Sequence, residues 1–567
     1  MERLDSKWMA TVASIWIQCS VGGTYTFSVY SSTLKSTQGY DQSTLDTVSV
    51  FKDIGGNAGV LAGLLYSFVT HDCRRNGGRF SSFCGPWVVL LTGAILCFTG
   101  YFLMWASVVR LIHRPPVALM CLFMFTAAHS QTFFITTGIV TGVRNFGGSV
   151  GTIVGILEGY LGLSGAILIQ VYDTIFKSNP STYLLFLALL PTFVSLLLMF
   201  FVRIYKTNSA DDDKNHLNAL SVVALIMAAY LMVLIILKNI FNLATWACIV
   251  TLLFLLLLLA SPLGIALKAQ KDDNTKRLLL LQTFSNNEIR NPLVSPKISG
   301  TAHDDPIAYI YHDELPGDDN IMLNDQEDMN LLQAICTGNF WLLFIAMICG
   351  LGSGMATINN ISQVGQSLGY TTIEINSLVS LLNIWNFLGR FLAGYVSDIF
   401  LHRRGWARPL FIAITQAALS VGHIVIALGF PKNLYVGTVL VGVCYGSQWS
   451  LIHAVTSEIF GVGHMGTIGN TIGIASPVGS YIFSVRVIGY LYDKAASGED
   501  NSCSGTHCFM LSFLIMACCA LFGCLVALLL YFRTRRFYDQ VVLGRLRHSK
   551  YEKLPTEGEL HVQAEID

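Results

Sequence analysis

The sequence predicts an all-α polytopic membrane protein of about fourteen transmembrane helices, and three observations carry that prediction. Fourteen apolar stretches, each long enough to cross a bilayer, fall along the 567 residues in groups of six, two and six. A helical span needs about 20 mainly apolar residues, whereas a barrel strand needs about 10 of alternating polarity, so the lengths select helices. Composition agrees: the chain is 53% hydrophobic and only 12% charged, about half the roughly 25% charged content of soluble domains.

The stretches justify themselves in order. The first, 8–33, runs unbroken past signal-peptide length without a convincing small-residue cleavage site, so it reads as a signal anchor. The second, 47–70, is spaced by Gly55, Gly59 and Gly63, and the fifth, 150–176, by Gly151, Gly155 and Gly159. Small residues every four let helix backbones approach closely in lipid. Between and after them lie the apolar runs 87–109, 117–140 and 183–202. The runs 219–237 and 243–267 are almost wholly apolar, carry no charge within the spans and are expected to face lipid. The last six are 340–359, 376–399, 410–428, 435–454, 468–490 and 509–531. The resulting units are an N-terminal half 1–207, an inserted hairpin 208–269, an acidic linker 270–333, a C-terminal half 334–537 and a tail 538–567. Low hydrophobicity and dense acidic charge make the linker a disordered tether.

Charge distribution orients the chain. Lys and Arg balance Asp and Glu at 35 each, but most of the basic residues fall on the side that holds both termini. The positive-inside rule makes that side cytoplasmic. No convincing sorting signal decides between the plasma membrane and an endomembrane. Most of the 14 cysteines lie in spans and read as small packing residues, while Cys503 and Cys508 share the last outer loop and are candidates for a disulfide. The letters Gly461-x-Gly463-x-x-Gly466 lack the strand and βαβ unit of a dinucleotide site. No metal-ligand or nucleophile–base constellation appears, so neither a cofactor, a metal, nucleic-acid binding nor enzyme activity is expected.

An internal repeat lies beneath the topology. Ser130-Gln131 in the fourth span precedes Gly151-Thr152-Ile153, and Ser447-Gln448 in the twelfth precedes Gly466-Thr467-Ile468 at similar distance. Two six-helix halves in parallel orientation are the architecture of the major facilitator superfamily. Gly389-Arg390, then Gly394-Tyr395-Val396-Ser397-Asp398, then Arg403, Arg404 and Arg408 resemble the signature loop between the second and third helices of a facilitator half. That resemblance implies that Asp398 caps the next helix and pairs with the basic loop, with Glu458 as an acidic partner. The first half departs from the pattern, since Gly63 is followed four residues on by Ser67.

A narrower resemblance covers almost the whole chain. Trp8-Met9-Ala10, Trp16-Ile17-Gln18, Thr24-Tyr25-Thr26-Phe27-Ser28-Val29-Tyr30-Ser31, Phe51-Lys52-Asp53-Ile54-Gly55, Ser130-Gln131-Thr132-Phe133-Phe134, Gly162-Leu163-Ser164-Gly165-Ala166 and Gly489-Tyr490-Leu491-Tyr492-Asp493 are similar to the plant nodulin-like, nuclear-fusion-defective group of facilitator-type proteins. The resemblance implies the facilitator fold and transport without fixing a solute. Glu158 stands where a basic residue would be usual.

Ionisable groups within spans cost roughly 2.5–3.5 kcal/mol at the helix centre, which makes each a functional candidate. Lys52 and Asp53 sit in the outer third of the second span and, being adjacent, are expected on different faces. Arg486 lies at similar depth in the thirteenth, so an Asp53–Arg486 pair is expected to close an outer gate. Glu158 is a candidate proton carrier, and Arg390, Asp398, Arg403 and Glu458 are candidates for gating or coupling. His129, His423 and His453 show no metal spacing and read as interior histidines, with His129 toward the cavity. Solute contacts are expected from Gln18, Tyr25, His129, Gln131, Asn359, Asn383, Asn386, Tyr445, Gln448 and Trp449, a set richer in amides and aromatics than in charges.

The expected function is therefore secondary active transport, by alternating access, of a small polar or weakly anionic solute, with protons as a coupling ion and the lipid bilayer as the environment. The alternative is a non-transporting receptor-like or scaffold protein that keeps the facilitator fold and signals through its acidic loop, whose protein partners the sequence does not name.

Overall fold

The computed structural model describes residues 6–72, 84–176, 179–205, 213–241, 244–290, 328–430, 432–495 and 503–544. Among them there is no strand, and eleven helices are long and apolar enough to cross a membrane. Three further runs complete the fourteen. One is split by a 3-10 turn at Gly22–Thr26 into α1 (Lys7–Ser20) and α2 (Phe27–Gln38). The other two, Thr372–Arg404 and Asn433–Phe460, are continuous but carry many of the polar and charged candidates.

The first half continues with α3 (Gln42–Asn57) and α4 (Val60–Ser67), which share one span broken at Ala58. Then come α5 (Pro86–Val108), α6 (Val117–Asn145), α7 (Val150–Val171) and α8 (Pro180–Leu198). The inserted hairpin is α9 (Asp213–Ile240) and α10 (Thr245–Arg290). The second half has α11 (Gly338–Met347) and α12 (Ser353–Ser367) in one span, α13 (Thr372–Arg404), α14 (Pro409–Leu428) and α15 (Asn433–Phe460). It ends with α16 (Met465–Gly473), α17 (Ala475–Ser480) and α18 (Tyr490–Ala495) in one span, and α19 (His507–Phe537). Local chemistry sets the ends: Asp41 caps α3 by accepting from the Thr44 N–H, Thr371 and Glu374 form a capping box on α13, and Gly405 and Gly429 take left-handed φ after α13 and α14.

Two expectations are corrected. The linker does not begin at residue 270, because α10 continues as a helix to Arg290. Its last stretch passes through the leucine run 278–281, and leucine is a strong helix former. The remainder, 291–327, lies outside the described residues, as do Arg74, Arg75 and the tail beyond residue 544. The hairpin faces lipid over most of α10, as expected, but one face of α9 does not. Leu217, Leu220, Ala224, Met227, Ala228 and Leu231 of α9 are buried in one core with Ile384, Phe387 and Phe391 of α13 and much of α7. Ion pairs hold the hairpin at both ends: Lys7 Nζ lies 2.6 Å from Asp213 in a buried contact, and Lys238 Nζ lies 2.8 Å from Asp173.

The halves meet from mid-span to the end at which the first and last described residues, Ser6 and Gly544, lie (the termini end), through α7 against α13 and α4 against α16. Toward the opposite end, α2 exposes Ser28, Ser32 and Ser36, and α12 exposes Asn359, Gln363 and Gln366. Polar stripes at helical spacing inside spans line water rather than lipid. The bundle is closed at the termini end and open at the other.

Candidate functional site

At mid-span the seam between α7 and α13 buries an ion pair between the halves. Glu158 of α7 accepts from Nη1 of Arg390 on α13, and both side chains are almost fully buried. His453 of α15 brings Nε2 to 3.3 Å from the second Glu158 oxygen. The guanidinium is fixed further: its Nε donates to Asn386 Oδ1 at 3.0 Å, and its Cζ lies 5.8 Å from the Trp449 ring centroid. Tyr25 from the first half and Tyr445 from the second are close enough to interact with it electrostatically. One carboxylate, one guanidinium and one imidazole are thus held together across the two halves. Desolvating such charges is costly, and breaking a buried pair costs about 3–5 kcal/mol.

Nearer the termini a second cluster joins the same helices. Asp398 accepts from the N–H groups of Gly151 (3.0 Å) and Thr152 (2.5 Å) and from the Thr152 hydroxyl (2.6 Å). The first N–H groups of a helix have no intrahelical partner, and a carboxylate also meets the positive end of the helix dipole. Asp398 therefore caps α7 of the opposite half, rather than the helix that follows it. Arg408, in the turn before α14, donates to Asp398 at 2.5 Å and to Glu458 at 2.7 Å, and Tyr538 donates to the other Glu458 oxygen at 2.8 Å. Burial works against the Arg408 charge, but the flanking Glu458 and Asp398 carboxylates outweigh it and raise its pKa. Arg403, singled out from sequence, is exposed, and Arg408 holds the position between the carboxylates.

Other candidates sit elsewhere. Gln131 accepts from the Thr24 hydroxyl at 2.6 Å beside a cavity of ≈ 10 Å³ inside the first half, room for about one water and too small for an organic solute. Gln18 packs against Gly138 and Gln448 against Gly350, each within its own half, and neither amide finds a hydrogen-bond partner among the described residues. His129 Nδ1 lies 3.3 Å from the Gly55 carbonyl, beside the break in the second span. Asn359 donates to Ser480 at 3.3 Å, and Asn383 is half-buried. Lys52 and Asp53 do not point apart: the Lys52 ammonium reaches back to Asp53 at 3.1 Å, over the Phe27 ring. Arg486 is exposed at the open end and is not among Asp53's ion-pair partners. Cys503 and Cys508 are joined by a disulfide.

Sequence reasoning missed Asn470 and Asp328 here, and read His453 only as an interior histidine. His453 gives no spacing signal. Asn470 of α16 donates to the Gly59 carbonyl at 2.9 Å and to the Thr136 hydroxyl at 2.8 Å, bridging to the first half. Asp328, at the end of the linker, accepts from the Gly463 N–H at 3.0 Å. A polar side chain one turn into an apolar helix was the available signal for Asn470.

Comparison with known proteins places this geometry. The family model described as Nodulin-like matches residues 7–267, and that described as NFD4, C-terminal domain, matches residues 326–540. The chain is 25% identical to Protein NUCLEAR FUSION DEFECTIVE 4 of Arabidopsis thaliana over 557 residues, covering 94% of this chain and 90% of that one. It is also 25% identical over 206 residues to Probable transporter mch1 of Emericella nidulans, covering 30% of this chain and 33% of that one. In fold it is similar to the proton:xylose symporter XylE, with a TM-score of 0.52 at 11% identity over 91% of this chain and 94% of that one. Two family models that together span both six-helix halves, on a facilitator architecture, give the conclusion: the chain joins a nodulin-like N-terminal half to an NFD4-type C-terminal half on the major facilitator fold.

Proposed function

We propose that the protein is a secondary active transporter that moves a small, polar or weakly anionic solute by alternating access, coupled to protons. The observation that carries this reading is the Glu158–Arg390–His453 cluster, buried at mid-span between two halves that are closed at one end and open at the other. Relatives named as transporters support it. Guanidinium binds carboxylate bidentately, so an acidic solute group competes with Glu158 for Arg390 over the Trp449 face. A proton arriving on Glu158 releases Arg390, and His453 Nε2 stands next to the oxygen that takes it. Departure of the solute lets Glu158 ionise and re-form the pair. As the open end closes, Arg486 draws Asp53 away from Lys52. An Asp53→Asn variant whose balance between the two open states is unchanged would remove that gate. By the positive-inside rule this reading has both termini in the cytoplasm and the open end facing away from it.

The test begins with the melting temperature of purified protein against carboxylates, amino acids, sugars and nucleosides. A ligand at about 100 times its Kd adds roughly 2.7 kcal/mol of apparent stability. The expected hit carries a carboxylate and is lost in Glu158→Gln/Arg390→Gln, a double variant that leaves no unpaired buried charge. In liposomes, Glu158→Gln carries solute without responding to a pH gradient. Folded protein that no solute stabilises would instead support the receptor-like or scaffold reading.

A further inference from the structure

We propose that Cys503, His507 and Cys508 form a redox-controlled site for a zinc-class divalent metal at the end of the second half opposite the termini. The three ligand atoms all lie within 4.8 Å of one another. His507 Nε2 is 3.6 Å from Cys503 Sγ and 4.0 Å from Cys508 Sγ. A tetrahedral zinc with sulfur at about 2.3 Å and nitrogen at about 2.0–2.1 Å asks for a sulfur–nitrogen separation of roughly 3.6 Å. The imidazole therefore stands at ligand spacing from the Cys503 sulfur and slightly beyond it from the Cys508 sulfur. Both cysteines are buried and His507 is exposed, so the three ligands close one side and leave the fourth position to solvent. Three protein ligands with an open fourth position is the arrangement of a reactive zinc rather than a purely structural one.

The loop does not depend on the disulfide for its shape. The Cys503 N–H donates to the Tyr492 hydroxyl at 3.2 Å, next to α19, and the Gly505 N–H donates to the Ser367 carbonyl at 2.8 Å, at the end of α12. Gly505 turns the chain at φ +110, which favours glycine, and Thr506 packs against Gly429 after α14. With the loop fastened to three other helix ends, the ligands stay together when the sulfurs part. A dithiol donor supplies the two electrons and two protons that turn the Cys503–Cys508 bond into two thiols, becoming a disulfide itself. The metal then displaces both thiol protons, and water fills the fourth position. Oxidised, the loop is a covalent staple; reduced, it is a Cys2His ligand set.

The test uses the full chain in detergent, without a histidine tag, before and after reduction with a phosphine. Cobalt(II) is the probe, since it reports thiolate ligation by charge-transfer absorption and tetrahedral geometry by its visible bands. Reduced protein is expected to bind one equivalent, displaced by zinc, and oxidised protein none. Cys503→Ser/Cys508→Ser abolishes the signal. His507→Ala, at an exposed position that leaves folding intact, weakens binding at least tenfold. Two results would overturn the proposal. One is the absence of both bands in reduced protein whose Cys503 and Cys508 can be alkylated. The other is an unchanged signal in the double variant, which would assign the cobalt to exposed thiols such as Cys336 or Cys518.

Discussion

At the seam between α7 and α13, Asp398 takes three hydrogen bonds from Gly151 and Thr152 and is held by Arg408. At the seam between α4 and α16 the corresponding position is Ser67. Its hydroxyl makes two long contacts, 3.3 Å to the Thr467 hydroxyl and 3.4 Å to the Gly463 carbonyl. The two places match in detail. Gly394 lies four residues before Asp398 and packs on the Gly151 backbone, and Gly63 lies four before Ser67 and packs on the backbone of Gly466 and Thr467. The same pair of close helix approaches is thus made twice, once locked by buried, ion-paired carboxylates and once closed by small residues, neutral hydrogen bonds and a single Arg144 bond to the Gly463 carbonyl. Charge-assisted bonds are roughly twice as strong as neutral ones, and contacts beyond about 3.2 Å are weak. The difference teaches that the two seams are not equally strong, and it predicts that release begins at the α4–α16 seam while the α7–α13 seam holds until its charges are rearranged.

The comparison breaks most visibly at Arg408. Replacing it with Met leaves Asp398 and Glu458 as buried carboxylates without their counter-ion, a loss of about 3–5 kcal/mol. Arg144→Met at the other seam removes one 3.2 Å bond to the Gly463 carbonyl and a contact with the Tyr66 ring, worth about 1.5–2 kcal/mol for so long a bond. Melting temperatures of the two variants should therefore separate widely, and equal losses would remove the asymmetry. Next in size are the glycines. A Cβ at Gly394 runs into the Gly151 carbonyl, and one at Gly63 comes within 2.5 Å of the Thr467 backbone. Either alanine variant should cost about 1–3 kcal/mol of the closed state. Raised accessibility of engineered cysteines at the termini end would show it. Gly63→Ala should open that end more, because its seam has less charge to resist.

How much of this could be read in advance follows from which interactions repeat along the chain. Fourteen spans and the division into halves were legible because apolar length and the Ser-Gln and Gly-Thr-Ile echoes are local properties of the sequence. The acid–base set at Asp398, Arg408 and Glu458 was legible through its motif, but its partner was not. The N–H groups of Gly151 and Thr152 are backbone atoms that carry no letter. Glu158 and Arg390 each stood out as a charge in an apolar run, yet their pairing spans 232 residues and depends on how two halves dock. Gln131 and Gln448 stood out in the same way, and their surroundings depend equally on packing. An amide in a span signals a polar partner, and for these two the neighbours lie inside their own halves, at Thr24 and against Gly350. Asp53 was assigned to Arg486 by depth alone, and the long Lys52 side chain reached it first.

The smallest expected effect sharpens the comparison instead of breaking it. Ser67→Asp would place at the weak seam the residue type that locks the strong one. The new carboxylate would meet the Thr467 hydroxyl and the start of α16, with the Arg144 guanidinium bonded nearby to Gly463. An anion at a helix N-terminus contributes about 0.3–1 kcal/mol, up to about 2 where partly buried. Desolvation of a carboxylate in this seam has to be offset by the Arg144 guanidinium beside it, and with that pairing the net gain should be about 1 kcal/mol. That is about a fivefold shift toward the state closed at the termini end, measurable as slower labelling of cysteines placed there. Solute flux should fall in the same variant, because a seam that parts first has been made to part later. If labelling is faster or unchanged while the protein remains folded, the serine is not a weakened copy of Asp398, and the two seams differ by more than one residue.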